Sequence, residues 1–81
     1  MLQLTNEQAL IEYLEVQIRI TQSSVKSEND SIHYWKSGKY LEDNKFVTNG
    51  QVDFFISNGL TRISRLQYKL DWLNLQLSNL K

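Results

Sequence analysis

The alternation of apolar and polar positions divides the chain into two long helical stretches joined by a polar connection. Leu10, Ile11, Leu14 and Ile18 recur along one face at helical spacing, with Tyr13, Val16 and Ile20 off that stripe. A strict seven-residue repeat carries the stripe onward through Ile11, Ile18, Val25 and Ile32, and Leu14 and Trp35 take companion positions. Thr21 and Glu28 are polar residues falling between these. Thr5-Asn6-Glu7-Gln8 has the form of a capping box, in which a Thr hydroxyl satisfies a free backbone N–H and Gln reaches back. The pattern therefore predicts a helix over about 6–37, stopped by Gly38. Ser27-Glu28-Asn29-Asp30 offers the alternative of a break and a fresh cap, leaving a short helix over 31–37.

The C-terminal third repeats most regularly. Val52, Ile56, Gly59, Ile63, Leu66, Leu70, Leu73, Leu77 and Leu80 alternate in steps of four and three, the mark of a helix that packs on another helix. Gly59 is the one gap, and Ser57-Asn58-Gly59 is a candidate kink. Leu60 beside the seam widens the apolar face, which suits a bundle better than a two-stranded zipper. Between the two stretches, residues 38–50 form the connection, punctuated by Gly38, Asn44 and Asn49-Gly50. Thr48-Asn49-Gly50-Gln51 reads as a second capping box, opening a helix over about 51–80. A hairpin over 45–56, turning at Asn49-Gly50, is the competing reading.

These elements make an all-α fold: one helical domain over 1–81, a long antiparallel hairpin with room for a short middle helix. A rod of about 30 residues is roughly 45 Å long, and two rods side by side enclose little. Each also carries apolar residues off its seam, Tyr13, Val16 and Ile20 on the first and Tyr68, Trp72 and Leu75 on the second. Burying both faces predicts a homodimeric four-helix bundle or a higher oligomer of hairpins. A three-helix monomer, in which 31–46 cover the second face, is the alternative. Val52, Ile56, Ile63, Leu66, Leu70, Leu73, Leu77 and Leu80 are the expected helix-packing residues.

Composition narrows the function. With 81 residues, nine Lys+Arg and nine Asp+Glu, the chain lacks the charge excess of a nonspecific DNA binder or a polybasic membrane anchor. It has no cysteine, hence no thiol nucleophile, disulfide or cysteine zinc site. No apolar run is longer than the three residues of Phe54-Phe55-Ile56, too short to span a bilayer. The first residues lack the features of a signal peptide. A cytoplasmic protein is expected.

Catalytic signatures are missing. His33 is the sole histidine, no Gly-x-Ser-x-Gly elbow surrounds a serine, and the three glycines are too scattered for a phosphate loop. Asp30 and His33 share the i, i+3 spacing of bundle metal sites, yet the last helix offers only Asp53 and Asp71 to complete one. No metal, no cofactor and no enzymatic activity are expected, and His33 is read as half-buried.

One stretch stands apart. His33, Tyr34, Trp35, Lys36, Lys39 and Tyr40 put three aromatics, a histidine and two lysines at a helix end and its turn. Aromatic faces and ammonium groups serve a protein contact, or the base and phosphate of a nucleotide. The bland reading has Ile32 and Trp35 closing the end of the bundle while Tyr34 and Lys36 face water. Tyr68 and Trp72 form a second candidate surface. Arg62, Arg65 and Lys69 flank them, but the acidic first helix, with Glu7, Glu12 and Glu15, makes interhelical ion pairs a better use than nucleic acid. The sequence thus points to a small helical interaction protein that binds itself and a larger protein partner, which it regulates or inhibits. Chains of this build are common among phage and mobile-element products that block host machinery. The alternative is an oligomer that sequesters a nucleotide-like anion between protomers.

Overall fold

The computed structural model describes residues 5–43 and 46–81, and every regular element in them is helical. Helix α1 runs Asn6–Ser37, α2 is a single turn at Tyr40–Asp43, and α3 runs Asn49–Leu80. Both long helices start on the capping boxes the sequence spells out. The Gln8 amide donates to Thr5 Oγ1 at 3.1 Å and the Thr5 amide to Gln8 Oε1 at 3.0 Å. Thr48 and Gln51 repeat the exchange at 3.2 and 2.9 Å. At the other end of α1, Gly38 takes the left-handed conformation, φ 81°, that a helix C-cap requires and that a side chain would strain.

Three expectations resolve here. The break at Ser27–Asp30 does not occur: α1 is continuous through it. Nor is there a hairpin over 46–56, since α3 is helical from Asn49 and its capping box uses the backbone donors that a strand ladder would need. Asn44 and Lys45, which the turn and hairpin readings included, lie outside the described residues. Ser57-Asn58-Gly59 stays helical.

The two long helices are antiparallel. Contacts descend along α1 as they climb α3: Ile32 meets Gly59, Glu28 meets Arg62, and Glu15 meets Lys81. The seam buries Leu14, Ile18, Thr21 and Ile32 from α1 against Val52, Gly59, Ile63 and Leu73 from α3. Leu14, Ile18 and Leu73 form the tightest cluster, flanked by Leu70, Leu77 and Leu80. Ile56 and Leu66 are half-buried on the same seam.

Gly59 explains itself by position. A Cβ there would lie 2.8 Å from Ile32 Cγ1 and 3.0 Å from Cδ1, closer than the ~3.5–4.0 Å of ordinary carbon contact. Its missing side chain lets the rods approach, and packing against α1 holds the helix where local propensity would loosen it. Thr21, read from the sequence as a polar residue interrupting the stripe, is the most buried side chain at 1% exposure. Its hydroxyl donates to the Gln17 carbonyl at 2.7 Å, so burial leaves nothing unsatisfied.

Other positions differ from the sequence reading. Leu10 and Leu60 are exposed, because each lies one residue off its seam, about 100° round the helix. Helix α2 touches α1 but does not lie along α3. The single turn of α2 does not cover the second face, as the alternative reading of residues 31–46 required. The hairpin measures 57 × 26 × 14 Å with a radius of gyration of 18.1 Å, against roughly 12 Å for a compact chain of this length. It is a plate one helix thick.

Candidate interaction surfaces

The connection end of the plate is built on four rings. Trp35 stands 5.1 Å from Tyr34, 5.4 Å from Tyr40 and 4.7 Å from Phe55, centroid to centroid, within the range of favourable aromatic pairing. Gly38 turns the chain so that Tyr40, on α2, folds back onto the last turn of α1 and is buried there. The Tyr34 hydroxyl donates to Asp43 Oδ2 at 2.8 Å, tying the last turn of α1 to α2. That hydrogen bond, helped by burial and by the Asp43 charge, holds the Tyr34 phenol above the ordinary tyrosine value.

This clasp gathers most of the residues singled out in 33–40, and divides their work. Trp35 and Tyr40 are packed inward, and Tyr34 is half-buried and bonded rather than facing water. His33, Lys36 and Lys39 are exposed. His33 is therefore not half-buried, since it follows the inward Ile32 and turns away from the seam. No group of three His, Asp or Glu side chains suited to a metal occurs among the described residues. The rings of Tyr34, Tyr40 and Phe55 crowd Trp35, so a nucleotide base stacking on it would have to displace one of them.

Around the clasp stand exposed apolar side chains that the sequence reading missed: Leu41 on α2 and Phe54 on α3 are more than half exposed, and Phe46 is 94% exposed. Phe54 sits one residue from the inward Phe55 and outside the heptad. An aromatic off both the seam and its flanks was the available signal.

A second surface runs along α3. Tyr68 is 80% exposed, and Trp72 and Leu75 are more than half exposed. With Asp71 they line a shallow concavity on one helix. About 25 Å of helix separates Trp72 from Phe55, so this surface and the clasp are distinct. Tyr13, Val16 and Ile20 are likewise exposed on α1.

The ion pairs cross between the long helices as expected, though not with the expected partners. Arg62 Nε meets Glu28 Oε1 at 2.8 Å and Lys81 Nζ meets Glu15 Oε1 at 3.7 Å. Arg65 and Lys69 make no ion pair among the described residues. None of the helices is long and apolar enough to cross a membrane, again among the described residues.

Comparison with family models, with curated proteins and with solved structures finds no match to this chain.

Proposed function

We propose that this chain is a non-enzymatic helical interaction protein: it self-associates into a homo-oligomeric helix bundle and binds a larger macromolecular partner, which it regulates or inhibits. A phage or mobile-element inhibitor of host machinery is the biological setting this build suits. The observation that carries the reading is unspent surface. The chain exposes 6446 Å², where the scaling for compact monomers gives about 5,100 Å² for its 9.6 kDa. The excess of roughly 1,300 Å² exceeds the ~800 Å² per partner of a standard stable interface. It is apolar in the places that matter: eleven large hydrophobic side chains are exposed among the described residues. Patches of this kind mark interaction sites on soluble proteins.

The clasp end supplies the partner contact in this reading. The packed rings and the Tyr34–Asp43 bond tie the short helix to α1, Leu41 and Phe54 supply exposed apolar side chains, and Lys36 and Lys39 exposed cations. These are the residue types from which interfaces with an apolar core and a polar rim are built.

The test is capture of a stoichiometric partner from host lysate by the tagged chain, repeated with Lys36→Glu/Lys39→Glu and with Phe54→Ser. All of these positions are exposed, so helix content should match that of the parent. A partner retained by the parent and lost by both variants supports the reading. Equal capture by all three chains, or capture by none, overturns it.

A further inference from the structure

The α3 concavity has a particular composition. Its four lining residues, Tyr68, Asp71, Trp72 and Leu75, stand at i, i+3, i+4 and i+7. Four residues in that relation form the hole into which a side chain of a facing helix inserts in knobs-into-holes packing. No helix among the described residues faces it. At 100° per residue, Tyr68, Trp72 and Leu75 centre roughly 165° from Leu70, Leu73 and Leu77, which pack against α1. Helix α2 ends at Asp43, at the far end of the plate.

We propose that the outer stripe of α3 is the seam of an antiparallel α3–α3 pairing between two copies of this chain, each helix placing a side chain in the other's hole. The proposal rests on the self-association proposed above and names the surface that performs it. Three observations select this occupant. The hole has the residue spacing that receives a side chain of a facing helix. The chain as a whole exposes roughly 1,300 Å² more than a compact monomer, above the ~800 Å² per partner of a standard interface. An isologous pairing of one stripe with itself also closes into a dimer, whereas α3 against the α1 stripe of another copy would propagate.

Charge sets the direction. Parallel pairing would hold Arg65 level with its counterpart and Lys69 level with its own, and none of these has an acidic partner among the described residues. Antiparallel pairing about a two-fold near Trp72 moves the two Arg65 residues about 21 Å apart along the axis, at 1.5 Å per residue. It also opposes the helix dipoles.

The absence of cysteine makes the test clean, because a single introduced cysteine is the only site a spin label can take. Light scattering on the parent chain should give twice 9.6 kDa. Tyr68→Ser/Trp72→Ser, both at exposed positions, should give the monomer mass with unchanged helical circular dichroism. Nitroxides at Lys69→Cys should lie within about 30 Å of each other, and at Asp53→Cys about 57 Å apart along the axis. A monomeric parent overturns both this pairing and the self-association beneath it. A dimer with short distances at both sites, or one that survives Tyr68→Ser/Trp72→Ser, overturns this pairing and leaves self-association standing.

Discussion

Alanine at Gly59 sets two opposing effects against each other, and the distance to Ile32 decides between them. In an isolated helix the substitution would stabilise by about 0.8–1.0 kcal/mol, the difference in helix propensity. Here the added methyl would fall 2.8 Å from Ile32 Cγ1, about 0.7–1.2 Å inside ordinary carbon contact. Cγ1 is not the free end of a side chain, and Ile32 is 7% exposed, so relief requires a rotamer change or separation of the rods. Overpacking of this kind costs about 1–3 kcal/mol. The net expectation for Gly59→Ala is a loss of about 1 kcal/mol. In the background of Ile32→Ala, itself a loss of about 2–4 kcal/mol, the obstruction is gone. The same substitution should then stabilise by about 1 kcal/mol, a coupling near 2 kcal/mol. Urea denaturation followed by circular dichroism, with the four chains at one concentration so that self-association enters each alike, measures the cycle. Additive effects, with Gly59→Ala stabilising both backgrounds, would refute the close approach.

Three further substitutions bear on the seam and the clasp. Thr21→Val should raise stability by about 0.5–1 kcal/mol, because the hydroxyl bonds only the Gln17 carbonyl of its own helix; a loss above 1 kcal/mol in a urea titration would show that it does more. Trp35→Ala should cost about 2–4 kcal/mol in the same assay through the loss of three ring contacts, and a change under 1 kcal/mol would mean the clasp contributes little. Tyr34→Phe should change the alkaline limb of the pH–stability curve. The folded-state phenol titrates above its unfolded value, so its contribution is full below about pH 10 and is lost as pH rises through the folded value. Melts from pH 8 to 11 should show a shallower decline for the variant, and superimposable curves would remove the Asp43 bond from the account.

The extents of the helices were legible because each rests on a strong local signal. Two Thr-x-x-Gln boxes and Gly38 mark three of the four long-helix ends, and the heptads mark the faces between them. What the pattern could not carry were features set by the distance between rods. A polar residue at position 21 reads as an interruption until its hydroxyl is seen to bond within its own turn. A glycine at 59 reads as a weakness until Ile32 is seen to occupy the space of its side chain. The clasp was half legible: residues 33–40 announced an aromatic cluster, but Phe55, its fourth ring, comes from the other helix. Only tertiary structure joins Trp35 to it, and only that joining separates the inward Phe55 from the outward Phe54.

A heptad seam does not say whether its partner helix is in the same chain. Here the seams of α1 and α3 satisfy one another, with Leu14 and Ile18 against Leu73, so the seam residues themselves demand no second copy. The demand comes from the residues off the seam. A helix facing water on its far side should carry polar residues there, yet α3 carries Tyr68, Trp72 and Leu75, and α1 carries Tyr13, Val16 and Ile20. A plate one helix thick has no interior in which to hide them, whatever its loops do. Self-association is therefore inferred from the second stripe, not the first. Substitutions in the two stripes should separate accordingly: Leu73→Ala should lower the stability of the hairpin at every concentration, by about 2–5 kcal/mol. Tyr68→Ser should lower it only where the parent chain is associated, and equal losses at all concentrations would place Tyr68 in the fold instead.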